Sequence, residues 1–402
     1  LWLTFSLAAQ KITPAVIHGH ADFAIGEEVR LVAYDDLLTY VPKTVARCKI
    51  AKDGSFELSF PTREIKLVQL EIRTSRAEFL IEPQKKYNFT IDMDPELFSL
   101  FSPQDYNGFL KIKNSNSDEN DLNRRVNNFN YDFTTAFNER AFKIIYDHDL
   151  NAYDSVAQYL NDKYPIQYNP YDFYQSYLYY SLSELDMMYW SKDADTLFKK
   201  YLDNDHILYQ NPAYMNLFNT FYDDYIFNSL KINLENVFVS INDNADYQML
   251  FNEVGKDPFL VNERLRELVI VKSLGQLYLN HPEFNKSNIE TMLMQLQANS
   301  HFTEHQPIID NMLDLINKFG YDNPVCDVKF KESNGKDFTL KKLKGKCVLL
   351  HFFRTDCVEC VREMPLLQNL ADQYKDSLTL VSVCVDFDKY KLQAFLNKYP
   401  QF

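Results

Sequence analysis

The sequence predicts a multidomain α+β chain: a β-sandwich first, an all-α region second and an α/β unit last. Three observations carry that prediction. Short alternating apolar segments recur up to about residue 95, apolar residues then recur at spacings of three and four up to about Gly320, and a late apolar run leads straight into Cys357-Val358-Glu359-Cys360. With 402 residues, 46% hydrophobic and 15% aromatic, the chain is long and apolar enough for two or three cores. A formal net charge of −14, without concentrated Lys and Arg, argues against nucleic acid as a partner.

Residues 11–95 read as the sandwich. Ala15–Gly19, Val29–Tyr34 and Thr44–Ile50 alternate as strands, and Asp53-Gly54 between two such runs is a strong hairpin signal leading into Phe56–Phe60. Leu67–Ile72, Ala77–Ile81 and Tyr87–Ile91 continue the series at a spacing that suits two packed sheets.

Residues 96–320 read as helical. Phe133, Phe137, Ala141 and Ile144 fall on one helix face, as do Leu178, Leu182, Leu185 and Tyr189, and Leu265, Leu268, Val271, Leu274 and Tyr278. Asn169-Pro170, Asn211-Pro212, Asp257-Pro258 and His281-Pro282 mark helix starts or turns. The pattern predicts about eight to ten helices in a bundle or irregular array, with no repeat of fixed period.

The last segment carries the chemistry. Lys346–Phe353 is a short apolar run of core-strand type, and helical periodicity begins right after it, so the two thiols of Cys357-Val358-Glu359-Cys360 sit at a strand-to-helix junction. Such a pair can close a disulfide or hold a metal. A structural zinc site wants a second pair at suitable spacing, and none exists, so the redox reading is favoured. At a helix N-terminus the first Cys meets unpaired N–H groups and the positive end of the dipole, which stabilise its thiolate.

Asp327–Phe330, Asp337–Lys346, the apolar strand, the CxxC and Arg362-Glu363-Met364-Pro365 together resemble secreted thioredoxin-like proteins of the TlpA/ResA type, from about Pro324 onward. The resemblance implies an α/β thioredoxin-like fold, thiol:disulfide exchange with Cys357 as the attacking thiol and Cys360 as the resolving thiol, and Pro365 as a kink in the first helix. It implies protein dithiol and disulfide substrates, an electron donor, and no cofactor beyond the redox-active Cys357–Cys360 disulfide. The β-segment resembles the DUF4369-like domain that often precedes such units in exported bacterial proteins.

This chain departs from the family pattern in three ways. Thr355-Asp356-Cys357-Val358-Glu359-Cys360 lacks both the usual Trp before the first Cys and the Pro between the two. Asp356 and Glu359 set carboxylates beside the thiols, which disfavours a thiolate and so favours the disulfide; Arg354 and Arg362 offset this in part. No base or proton shuttle is identifiable from the residues; Glu363, one turn from Glu359, counts with Glu359 and Pro365 as a supporting residue. The helix at Lys389–Lys398 is followed by the end of the sequence at Phe402, ahead of the family's cis-proline loop, so 321–402 reads as an incomplete thioredoxin-like unit. At the other end, Leu1–Gln10 reads as the tail of a secretory signal peptide cleaved after Ala9, the alternative being a first β-strand. No later apolar run is long enough to span a bilayer, and the expected setting is exported, periplasmic or cell-envelope.

Other candidates are weaker. His301 and His305, spaced i, i+4, could face one metal, yet they lack the His-Glu-x-x-His order and read better as a solvated helix start. His18 and His20 share a strand face without a third ligand. Cys384 reads as a small buried hydrophobe, Cys326 with Cys347 as a conceivable structural disulfide, and Cys48 as remote. The functional expectation is a thiol:disulfide oxidoreductase, reducing or weakly exchanging. The rival is a non-catalytic binding or assembly protein with a degenerate thioredoxin-like domain.

Overall fold

The computed structural model describes residues 13–73, 75–93, 110–115, 118–189, 193–319, 328–355, 357–386 and 389–400. The expected signal-peptide remnant and Cys326 lie outside them. Two compact units divide between Tyr321 and Asp322.

The first unit opens with strands β1 (Ala15–His20), β2 (Glu28–Tyr34), β3 (Pro42–Lys49), β4 (Ser55–Phe60), β5 (Lys66–Ile72), β6 (Ser75–Ile81), β7 (Lys86–Met93) and β8 (Leu110–Asn114). They form two four-stranded sheets, ordered β4-β1-β7-β8 and β3-β2-β5-β6. Ile17, Leu58, Phe89 and Ile91 from the first sheet and Val29, Leu31, Leu70 and Phe79 from the second meet in one buried core. Alternation is the reason: period-two apolar positions give each sheet a dry face, and two dry faces stack, while β2, β5 and β6 also bury residues on their other face. Tyr87 is fully buried in this core, and its hydroxyl accepts the Glu82 N–H at 2.8 Å.

Two expectations change here. The Asp53-Gly54 turn exists, with Gly54 at φ 78°, but it does not close a hairpin within one sheet: β3 pairs with β2 and β4 pairs with β1. Turn chemistry fixes the local reversal and is silent about which neighbour each strand then takes. The β-region also runs past residue 95, because β8 pairs antiparallel with β7.

The principal helices of this unit are α1 (Leu122–Asn138), α2 (Leu150–Lys163), α3 (Phe173–Tyr189), α4 (Pro212–Phe221), α5 (Glu263–Asn280), α6 (Lys286–Asn299) and α7 (Gln306–Phe319). Short helices such as Tyr225–Asn228 and Leu234–Phe238 lie between them, so the segment is more broken than eight to ten helices would make it. Asn211 caps α4 by accepting the N–H groups of Ala213 and Tyr214, with Pro212 at the first helical position, as Asn-Pro suggested. Helix α5 is buried almost all round, and Gly275 on it packs so closely that a Cβ there would stand 2.3 Å from Met312 Sδ on α7.

The helices and the sandwich share packing. Leu80 of β6 belongs to the cluster of Leu122, Val126 and Phe129 on α1, and the Asn123 side chain both accepts the Leu80 N–H at 2.7 Å and donates to the Leu80 carbonyl at 2.8 Å. The side-chain amide therefore replaces a strand neighbour that β6 lacks on that edge.

The second unit holds an antiparallel pair, β9 (Lys329–Lys331) and β10 (Asp337–Thr339), then β11 (Cys347–Phe353), α8 (Val358–Gln373), β12 (Leu378–Cys384) and α9 (Lys389–Lys398). Strands β11 and β12 run parallel, with Phe353 opposite Cys384, so the segment is a βαβ unit whose crossover is α8. Phe353, Met364 and Phe395 are its buried hydrophobic residues among those described. Among the described residues, no helix of the protein is long and apolar enough to cross a membrane.

Candidate dithiol site

The site is built where β11 hands over to α8. Apolar β11 ends at Phe353, and Cys357 is the N-cap of α8: its backbone is extended while the helix begins at Val358. A CxxC placed on this boundary brings both sulfurs to one turn, and Cys357 and Cys360 are joined as a disulfide with Cα atoms 5.3 Å apart. The Cys360 N–H donates to Cys357 Sγ at 3.1 Å, so a helix-terminal amide is aimed at the first sulfur. That donor, with the dipole of the 16-residue α8, stabilises negative charge on Cys357 once the bond is opened. Cys357 is partly exposed; Cys360 is also partly exposed and packs against the Phe353, Met364 and Phe395 cluster.

The remaining expected site residues divide. Glu359 is exposed and its Oε1 lies 2.7 Å from Arg362 Nη1, so a cation offsets its charge one turn away. Glu363 is exposed on the same helix. Pro365 is exposed within α8, which continues through it to Gln373 although its ring removes the N–H that would reach the Val361 carbonyl. Asp356 lies outside the described residues.

Asp386, the second residue after β12, escaped sequence reasoning. Its Oδ2 accepts the Thr355 N–H at 2.8 Å and lies 3.3 Å from Cys384 Sγ, while Oδ1 stands 3.9 Å from Arg354 Nε. Burial works against its ionisation, but Thr355, Cys384 and Arg354 together hold its carboxyl below the usual carboxylate range. The available signal was a lone Asp ending an apolar strand, which by itself is indistinguishable from a surface residue.

The other cysteines and histidines resolve as follows. Cys384, expected as a purely apolar filler, is half-buried and its thiol is a donor to Asp386; Cys347 is exposed; Cys48 is half-buried, and burial pushes its thiol up. His305 corrects the reading of a solvated helix start. It is fully buried, with Nδ1 2.7 Å from Glu267 Oε1 and Nε2 2.8 Å from the Tyr209 hydroxyl, while His301 is exposed. His18 and His20 lie against Glu57 and Asp22 at the surface of the sandwich. No group of three or more His, Cys, Asp or Glu side chains suited to a metal ion occurs among the described residues.

Comparison with known proteins bears on the same segment. Residues 321–402 match the protein family described as Redoxin. The chain is 34% identical over 76 residues to the thioredoxin-like protein YneN of Bacillus subtilis, covering 18% of this chain and 45% of that one. It is 36% identical over 66 residues to the thiol-disulfide oxidoreductase ResA of Bacillus thuringiensis (16% and 38%), and 30% identical over 97 residues to ResA of Oceanobacillus iheyensis (23% and 50%). The chain thus spans half or less of the length of these curated relatives. A crystal structure of a thioredoxin-like protein from Bacteroides caccae aligns over 46% of this chain and 73% of that one, at 14% identity and a TM-score of 0.24. Residues 321–402, which carry the strand-to-helix dithiol, thus match the Redoxin family, and over part of its length the chain is similar to thioredoxin-like proteins and thiol-disulfide oxidoreductases.

Proposed function

We propose that the protein is a thiol:disulfide oxidoreductase that exchanges disulfides of exported proteins through Cys357 and Cys360, acting as a reductant or weak exchanger. The observation that carries the reading is the disulfide at the N-terminus of α8 with a helix amide directed at Cys357 Sγ. In the reduced protein the Cys357 thiolate attacks one sulfur of a substrate disulfide. A mixed disulfide forms, and the other substrate sulfur leaves as a thiolate and takes up a proton. Cys360, losing its own proton, then attacks Cys357 Sγ, which releases the second substrate thiol and leaves Cys357–Cys360 oxidised. Two electrons have passed to the substrate, and an external dithiol must return them. No cofactor besides the cysteine pair enters these steps.

One feature supports the reducing direction. The helix terminus favours the Cys357 thiolate, but the carboxylate of Asp386, which accepts the Thr355 N–H of the preceding turn and is only partly offset by Arg354, opposes it, and an opposed thiolate favours the disulfide form. An exported setting, periplasmic or cell-envelope, suits exchange with protein disulfides, which persist there.

Insulin reduction by the full chain, with Cys357→Ser as control, tests the proposal. Turnover that disappears in Cys357→Ser supports it. Turnover unchanged by the substitution, or absent from both proteins, overturns it in favour of a binding or assembly role. Equilibration of the pair with glutathione tests the direction, and a potential as oxidising as that of DsbA, about −120 mV, would contradict it.

A further inference from the structure

We infer that Asp386 is a positioning residue for the Cys357–Cys360 pair: it clamps the turn that presents the first thiol by accepting the Thr355 amide. This inference rests on the oxidoreductase reading above and adds a part to that site.

The Asp386 side chain is 3% exposed, so its carboxylate is held by protein groups in place of water. Its two oxygens grip two consecutive residues of the turn, Oδ2 the Thr355 N–H at 2.8 Å and Oδ1 the neighbourhood of Arg354 Nε at 3.9 Å. The Cys357 N–H in turn donates to the Arg354 carbonyl at 3.2 Å. A continuous path of short contacts therefore runs from β12 through Asp386 and the Arg354-Thr355 peptide to the backbone of Cys357. The Cys384 thiol donates to the same Oδ2 at 3.3 Å and fixes the carboxylate from the strand side.

The clamp has an electrical consequence. A carboxylate kept ionised by these partners places negative charge against the turn that leads to Cys357, only partly offset by the adjacent Arg354, and so raises the work of forming the Cys357 thiolate. The other charged groups described around the turn are Arg354, engaged with Asp386, the exposed Glu359–Arg362 pair on the first turns of α8, whose charges offset each other, the exposed Glu363 one turn on, and Lys391 and Lys398 of α9, which line the same hollow as Thr355 and Val358. The described contacts of Asp386 are with Thr355, Cys384 and Arg354, not with the sulfurs of Cys357 and Cys360.

The test uses the reduced full chain and does not depend on turnover. Alkylation of Cys357 by iodoacetamide is followed against pH by site-resolved mass spectrometry, and exchange of the Thr355 amide is followed in deuterated buffer. Asp386→Asn keeps an acceptor oxygen and removes the charge, and its Cys357 midpoint is expected to fall by about half a pH unit or more. Asp386→Ala removes the acceptor, and its Thr355 amide is expected to exchange at least roughly tenfold faster than in the wild type. An unchanged midpoint in the first variant, or unchanged Thr355 exchange in the second, overturns the inference. Should either variant fail to fold, the wild type still decides: a Thr355 amide exchanging at the free-chain rate overturns it, and protection of about a hundredfold or more upholds it. A wild type inactive on insulin that still shows the midpoint shift would sink the oxidoreductase reading and leave the clamp standing.

Discussion

The helical region around α5 and the redox unit treat their side chains in opposite ways. Around α5, Leu268, Val269, Ile270, Val271 and Leu274 are wholly buried, and even Glu267 is enclosed and bound by His305 and Ser300. In the βαβ unit only Phe353, Met364 and Phe395 are buried among the described residues, while Phe352 on β11, Val358 and Leu366 on α8 and Tyr390 on α9 are exposed. The contrast sets side chains held by burial on every side against sulfurs held by their immediate neighbours. What sets the sulfurs is a set of short polar contacts at a strand end, made by residues within a few positions of the cysteines or facing them across one ladder.

The sharpest way to break this comparison is Cys357→Ser. Disulfide exchange is expected to fall to the uncatalysed background, with the unfolding of the first unit unchanged by circular dichroism; linked loss of both would mean that the units depend on each other. The next largest effect belongs to the core. Phe218→Ala on α4, at a side chain with no exposure, is expected to destabilise the first unit by about 3–5 kcal/mol in denaturant titration while leaving Cys357 alkylation alone.

Acid sharpens the comparison from the other side. The Asp386 carboxyl titrates below its unfolded-chain value of 3.8, so its folded state binds fewer protons than its unfolded state. Its contribution to the redox unit is then fully present above that value and is lost as pH falls through the lower folded value. Protection of the Thr355 amide, followed by hydrogen exchange from pH 5 downward, should hold to about pH 4 and then decay. The smallest expected effect is at the surface: Arg362→Ala removes the exposed partner of Glu359 and should change stability by less than about 0.5 kcal/mol in the same denaturant titration.

Much of the architecture was legible because it is written in local periodicity. Every strand read in the sandwich segment occurs, since alternation survives without knowledge of the partner strand. The partners themselves were not legible: Asp53-Gly54 looks the same whether it joins neighbours in one sheet or passes the chain between two. His305 was misread for a related reason, because burial depends on Glu267 and Tyr209, which lie 38 and 96 positions away. At the site the cysteine pair announced itself by spacing. Asp386 did not, because its meaning comes only from Thr355, 31 positions earlier, folding back against it.

The ladder between β1 and β7 has a consequence for how the protein is made. Val16 aligns with Lys86 and His20 with Thr90, side by side in the same direction, so the opening strand has no companion on that flank until β7 has been synthesised. At roughly 5–20 residues added per second, the nascent β1 waits several seconds beyond the ribosome with an open flank. During that interval β4, which takes the other flank in antiparallel fashion, is the earlier partner to emerge and the one that shields the strand from capture by a neighbouring chain.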